Sequence, residues 1–498
     1  MKRLLVAAVP LVAALTFAVQ PAYAGTNHHD RPSAGATTAT GPGKAASECV
    51  VPDVSAPKGA RVVDVTAVAE PGGTLQFPPL FGQAEPPPPV TGVPAFCQVQ
   101  VTLTHGRAGD RELIEVWLPA TGWTGRFQAL GGSGYLAGGF GPDQANAIKA
   151  GYAVGTTDAG ATPTTGYTPD WALTADGQVN RTVLENFAER GPHELAVVGK
   201  AVTRAHYGRA AAYSYWNGCS TGGRQGYMEA QRHPGDFDGV LANAPAISWD
   251  RFAVADLWPI VVQNELDDHL TKCEFDAFTA AAVAACDGPD TNGVIEDPSA
   301  CDFDAKSIVG RTVLCDGEQL TLTATDAEVV NRIWDGPRSS TGKRLWYGLA
   351  KGADLSAIGT YPFPVSTGWV ASLLKQDPAY DLTTITQADF EAYLEQSVEQ
   401  YHDVIASDDA DLSGFRRAGG KLLTWHGLAD QLVPVGGSIR YHDEVEKRFG
   451  RRATSDFYRL FLVPGAAHCG PGAAPAPADP LGALVSWVEE GKAPRSLS

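Results

Sequence analysis

The sequence predicts an α/β protein: a mostly parallel sheet with helices on its faces, interrupted by an inserted second domain. Three observations carry this reading. From residue 48 to Pro245, short apolar or aromatic runs closed by Gly or Pro alternate with a segment of helical spacing. Over residues 246–409 the character changes to four of the eight cysteines, an Asp-rich loop and long helical stretches. Alternation then resumes over 410–498, so the first domain is assembled from 48–245 and 410–498 around the insertion. A chain of 498 residues is long enough for both.

Taken in order, residues 1–24 (MKRLLVAAVPLVAALTFAVQPAYA) hold two basic residues, an apolar run and an A-x-A ending at Ala24, the pattern of a secretory signal peptide cleaved before Gly25. The run is short and broken by Pro10, which argues against a membrane span. Residues 25–47 are small, polar and rich in Gly, Pro, Ser and Thr, and read as a disordered leader in which His28 and His29 are solvated. Strands are expected at ARVVDVTAVA, AFCQVQVTLTH, RELIEVWLPA, RFQALGG, GYAVGTTDAG and AYSYWNG, and a helix at ENFAERGPHELAVVGKAVTRAHYG. QADFEAYLEQSVEQYHDVI is helical within the insertion, and the final alternation runs through GGKLLTWHG, SIRYHDEVEKRFG, YRLFLVPG and LGALVSWVEEG.

Loss of the signal removes Lys2 and Arg3 and no acid, which takes the net charge from -18 to -20. Such a balance repels phosphate backbones and anionic lipid, so neither nucleic acid nor membrane is an expected partner. Eight cysteines in an exported chain point to disulfides. No C-x-x-C is present, which argues against a cysteine-based zinc cluster, and composition alone selects no connectivity. The expected location is extracellular.

Gly218, Cys219, Ser220, Thr221 and Gly222 form G-x-S-x-G between the strand-like YSYWNG and the helix-like GGRQGYMEAQRHP. That context suits a nucleophile elbow, a tight strand-to-helix turn that pushes a serine hydroxyl out of the backbone. A serine needs a base, and the base an orienting carboxylate. GLADQLVP offers Asp430 after one strand, and VPGAAHCG offers His468 after the next. Taken singly, the first reads as a turn residue and the second as a surface loop residue. Together they reproduce the Ser, Asp, His chain order of α/β-hydrolases. His426, in TWHG, is expected to make a structural hydrogen bond, and His233 to end a helix before Pro234. An oxyanion hole needs two backbone donors. One is expected at Thr221, and the other in RFQALGGSGYLAGG at Gly132 or Ser133.

WNGCSTGGRQGYMEAQRHPGDFDGVLANAPA, GGKLLTWHGLADQLVP and PGAAHC resemble the tannase and feruloyl esterase family, which includes the bacterial mono(hydroxyethyl) terephthalate hydrolase. DLSGFRRAGGKLL and WDGPRSSTGKRLWYGLAKGADL add to the likeness, which spans roughly residues 48–490. The resemblance implies an α/β-hydrolase fold with a large lid at 246–409 and serine esterase chemistry on small aromatic esters. It also implies Ser220 as nucleophile, Asp430 as acid, His468 as base, and a disulfide between Cys219 and Cys469. The other six cysteines (Cys49, Cys97, Cys273, Cys286, Cys301 and Cys315) are assigned to disulfides as well. A structural calcium ion in the lid is implied too, and CDGPDTNGVIEDPSAC supplies Asp287, Asp290 and Asn292, with the Val294 carbonyl as a further ligand. This loop is not an EF-hand, since Gly288 takes the first ligand position; it is also about two residues shorter than the family pattern, with an Asn where an Asp is usual.

Two other readings compete. One is a peptidase or lipase on the same scaffold. The other is a non-catalytic binding protein, which the presence of all three triad residues disfavours. Trp258, Trp334, Trp346, Tyr347, Phe363 and Trp369 are candidates for stacking on a phenolic ring, though most aromatics of the insertion are expected in its core. They do not separate galloyl, feruloyl and terephthaloyl esters.

Overall fold

The structure is a computed structural model that describes residues 49–79, 85–106, 109–162, 167–289 and 291–497. The expected signal segment 1–24, the leader 25–47 and Asp290 lie outside the described residues.

Nine strands form the main sheet: β1 (Ala60–Glu70), β2 (Phe96–His105), β3 (Glu112–Pro119), β4 (Arg126–Leu130), β5 (Ala153–Thr157), β6 (Tyr213–Cys219), β7 (Gly239–Asn243), β8 (Lys421–Gly427) and β9 (Tyr458–Val463). Their spatial order is β1-β2-β3-β5-β4-β6-β7-β8-β9. From β5 to β9 every pairing is parallel. The first three strands are instead antiparallel to their neighbours. β2 and β3 are linked too briefly for a parallel crossover, so they pair as a hairpin. The strand β7, GVLAN, has no place among the sequence expectations. All five of its residues are buried, so it lacks the polar alternation of a half-exposed strand, as expected for one covered on both faces.

Alternate side chains divide between the two faces. Phe127, Trp216, Val240 and Leu422 join one core, and Leu130, Tyr215, Leu241 and Leu423 join the other. Helices α1 (Gly191–Tyr207), α2 (Thr221–Arg232) and α3 (Gly436–Phe449) cover the first face through Leu195, Tyr227 and Tyr441. Helix α4 (Pro480–Glu490) covers the second through Leu481, Leu484 and Trp487.

Between β7 and β8 the described chain adds no strand to this sheet. It forms helices, among them Lys272–Cys286, Ala324–Asp335 and Gln387–Ile405, and a hairpin of Thr312–Cys315 with Glu318–Thr321. Capping boxes at Thr271, Thr323 and Thr386 start these three helices. Their core is not self-contained. Trp249, Trp258, Phe275 and Trp369 pack in one cluster with Tyr135, Trp171 and Phe187, which precede β6. Four disulfides pair Cys49 with Cys97, Cys219 with Cys469, Cys273 with Cys315 and Cys286 with Cys301.

Candidate active site

Ser220 stands between the end of β6 and the start of α2 with φ 60° and ψ -117°, a backbone state that few non-glycine residues adopt. The surroundings impose it. Ser220 N–H donates to Asn243 O at 3.0 Å, and Ser220 O accepts from Arg224 N at 2.9 Å and Ala246 N at 3.1 Å. A Cβ on Gly218 would lie 2.5 Å from the Gly222 backbone, so the turn closes only with glycine at that position.

The partners converge from β8 and β9. Asp430, 2% exposed, follows β8. Its Oδ1 accepts from Leu432 N at 2.9 Å and Val433 N at 2.8 Å. Its Oδ2 lies 2.8 Å from His468 Nδ1. Burial pushes this carboxyl upward, but the His468 charge and the hydrogen bonds from His426 and His468 outweigh it and hold Asp430 well below the usual carboxylate range. An ionised Asp430 fixes the proton of His468 on Nδ1 and leaves Nε2 as the basic nitrogen. His468 and Cys469 form the corner of a tight turn closed by Ala467 N–H on Gly470 O at 3.1 Å, and Cys469 has φ 58°. The Cys219–Cys469 disulfide, with Cα atoms 5.9 Å apart, ties this corner to the residue before Ser220. No hydrogen bond joins Ser220 Oγ to His468 among the described residues; catalytic hydrogen bonds are often long before substrate binds.

His426 does more than the sequence indicated. It is fully buried, and its Nε2 faces two acceptors, Asp430 Oδ2 at 3.0 Å and Val433 O at 3.1 Å, so that nitrogen carries the proton. Its Nδ1 accepts from Ser438 Oγ at 2.8 Å. The expected structural histidine therefore holds the same oxygen that orients His468. His233 ends α2 as expected and pairs with Glu189 at 3.1 Å.

The expected oxyanion donors separate. Gly132 N–H donates to Gln225 Oε1 at 3.0 Å, which corrects its candidacy: the donor is already spent. Ser133 N–H makes no hydrogen bond among the described residues, and Thr221 N–H is an unpaired amide of the first helical turn. Gly222 N–H on Gly132 O at 2.9 Å and Thr221 Oγ1 on Gly134 O at 2.6 Å hold the two donor segments together. Tyr135, two residues past Ser133, donates its hydroxyl to Val365 O at 2.7 Å and so anchors this loop to the insertion. Neither Gln225 nor Tyr135 carries a local signal, because each partner is distant in the chain.

The family profile described as tannase and feruloyl esterase matches residues 97–498. The chain belongs to the tannase and feruloyl esterase family. It is a carboxylic ester hydrolase with an α/β-hydrolase fold. A probable feruloyl esterase of Arthroderma benhamiae is 42% identical over 455 residues, covering 88% of this chain and 84% of the relative. Among solved structures, the tannin acyl hydrolase from Aspergillus niger superposes with a TM-score of 0.80 at 28% identity, over 90% of this chain and 87% of that one. Feruloyl esterase B from Aspergillus oryzae gives 0.72 at 27% identity, over 89% of both chains.

Two further features of this tannase-family chain bear on its site. Trp258, Trp346, Phe363 and Trp369 are buried in the cluster shared with Tyr135, Trp171 and Phe187, which leaves Trp334 and Tyr347 as the partly exposed members of the aromatic set. In the Asp-rich loop, Asp287 Oδ2 accepts from Gly293 N at 2.8 Å while its Oδ1 is buried with no partner among the described residues. Asn292 Oδ1 accepts from Val294 N at 3.0 Å. Val294 is buried, and its methyls lie within 3.0 Å of where a Cβ on Gly465 would stand, three residues before His468.

Proposed function

We propose that this chain is a secreted serine esterase that hydrolyses phenolic carboxylic esters, of the feruloyl, galloyl or a related type, through a Ser220, His468, Asp430 triad and an acyl-enzyme. The observation that carries the reading is Asp430 Oδ2 seated on His468 Nδ1 while a disulfide joins the histidine's turn to that of Ser220. His468 Nε2 takes the Ser220 proton as Oγ attacks the ester carbonyl. Thr221 and Ser133 N–H groups face the oxyanion, and His468 returns the proton to the departing alcohol. Water, activated by the same nitrogen, then releases the aromatic acid and regenerates Ser220. The family and the names of its relatives support the substrate class. Four disulfides support secretion. No described helix is long and apolar enough to cross a membrane.

Residues 246–409 act as the lid in this reading. A structural calcium ion belongs in their Asp287 loop, whose oxygens are the hard donors that calcium takes. The unpartnered Oδ1 of Asp287 fits that role, with Asp290, Asn292 and the Val294 carbonyl completing the set. The ion supplies charge compensation and loop closure; the ester chemistry is carried by the chain's own residues.

Purified protein should hydrolyse at least one of methyl ferulate, methyl gallate and a terephthalate monoester, and Ser220→Ala should not. Turnover of long-chain acyl esters or peptides in their place would favour the lipase or peptidase reading, and no turnover of any substrate would favour a binding protein.

A further inference from the structure

A second cluster of chemistry-bearing side chains lies at the same end of the sheet, away from the triad. His105 ends β2, Glu112 opens β3, and Glu194 sits in the first turn of α1. Three strand spacings separate β3 from β6, about 14 Å. His105 is 6% exposed, Glu112 0% and Glu194 1%. One nitrogen or oxygen from each falls within 4.8 Å of the others.

Burying two glutamates and a histidine is costly unless every polar atom is compensated. Here compensation is incomplete. His105 Nε2 meets Glu194 Oε2 at 2.9 Å, and Thr157 Oγ1 donates to Glu112 Oε1 at 2.8 Å. Among the described residues, Glu112 Oε2 and Glu194 Oε1 are both buried without a partner. The two carboxyls are close neighbours, with one oxygen of each within 4.8 Å of the other's.

The supporting contacts resemble those of a metal centre. The far nitrogen of His105, Nδ1, is 2.6 Å from Asp110 Oδ2, which also accepts from Asn186 Nδ2 at 3.0 Å. Asp110 Oδ1 is fixed by the His105 N–H at 2.9 Å. A histidine whose second nitrogen is held by a carboxylate is the usual support of a metal-binding imidazole, because it sets the tautomer and aims Nε2 outward. Thr157 orients Glu112 in the same way. We propose that His105 Nε2, Glu112 Oε2 and a Glu194 oxygen bind a divalent transition ion of the zinc class.

An imidazole with two carboxylates favours such an ion over calcium, which takes six or more oxygens. Ligand atoms around a tetrahedral ion of this size stand ~3.3 Å apart, and the three side chains already bring one atom each within 4.8 Å of the others. The ion would compensate the two buried carboxyls and give their unpartnered oxygens a partner. It would tie the β2–β3 hairpin to α1, and its role would be structural.

The test is a Co²⁺ titration of the purified full chain, kept in saturating Ca²⁺ so that the Asp287 loop is silent, followed by visible absorption and equilibrium dialysis. The expected result is one Co²⁺ per chain with the d–d bands of a low-coordinate nitrogen and oxygen site, displaced by Zn²⁺. Glu112→Gln keeps the shape and the Thr157 contact and should weaken binding by at least about 100-fold; Asp110→Asn should weaken it by about 10- to 100-fold. Circular dichroism checks that each variant folds, and the wild-type titration stands without them. A wild-type protein that takes up no Co²⁺ would show a proton-bridged cluster and overturn the proposal. So would uptake left unchanged by either folded variant, which would place the ion elsewhere.

Discussion

The turn that presents Ser220 is held mainly by its backbone hydrogen bonds and packed glycines, whereas His468 itself is held mainly by side-chain contacts and a disulfide. Around Ser220, three backbone hydrogen bonds and the packed glycines at 218 and 222 leave the chain one path. Around His468 itself the restraints include Asp430 on Nδ1, Gln431 Oε1 accepting from the backbone N–H at 3.1 Å, the short bridge from Ala467 to Gly470, and the disulfide to Cys219. The geometry of the proposed nucleophile thus comes largely from backbone packing, and that of the proposed base from side-chain and disulfide tethers that single substitutions can cut.

The largest effect should come from the clamped side. Ser220→Ala removes the proposed nucleophile and leaves the turn's backbone hydrogen bonds intact, so kcat on an aryl ester should fall by about 10⁴ to 10⁶ with little change in the melting temperature. Residual turnover near the wild-type rate would place the nucleophile elsewhere.

On the tethered side, Asp430→Asn should cost about 10⁴ in kcat, because the amide cannot hold the productive His468 tautomer. It should also alter the response to acid. Burial raises the Asp430 carboxyl, but its histidine partners hold it below its ordinary value, so the unfolded chain takes up that proton more readily. The carboxylate's stabilisation is then present above about pH 4 and is lost as pH falls toward the folded value. Thermal melts of the two proteins at pH 7 and pH 3 should show the wild-type advantage shrinking; a difference independent of pH would contradict the assignment.

Cutting the disulfide tests the contrast directly. A Cys219→Ala, Cys469→Ala double variant should stay folded, since the sheet does not depend on it, yet lose about 100-fold in kcat as the base drifts by about 1 Å. Undiminished kcat would mean that Asp430 and Gln431 position the histidine unaided. His426→Ala should cost less, about tenfold, since Asp430 keeps its two backbone donors.

This contrast also explains which parts are legible in the sequence. G-x-S-x-G can be read because its glycine spacing lies within five residues, and the strands and helices around it because their apolar periods are local. Asp430 and His468 emerge from chain order and their place after strands. Gly132 is misjudged because its amide is spent on Gln225, 93 positions away in sequence. The grip of His426 on Asp430 depends on how the chain after β8 folds back, and no periodicity records that. GVLAN escapes notice because a strand buried on both faces does not alternate.

The smallest expected effect links the insertion to the tethered turn. Asp287 and Asn292 shape the loop that buries Val294 against Gly465, on the approach to His468. If calcium closes this loop, its removal frees the unpartnered Asp287 oxygen from the ion, loosens Val294 and lets the base turn move slightly. Most of the consequence should be thermal, because an ion that binds only the folded chain adds stability by mass action. Chelation should therefore lower the melting temperature by several degrees and kcat by only a few-fold, both restored by added Ca²⁺. Asp287→Asn should reproduce the loss and abolish the response to chelator. Ser220→Ala should keep the thermal response in full, because its nucleophile turn is clamped independently of this loop. A melting temperature indifferent to chelator in protein purified without one would remove calcium from the loop and leave Val294 as packing alone.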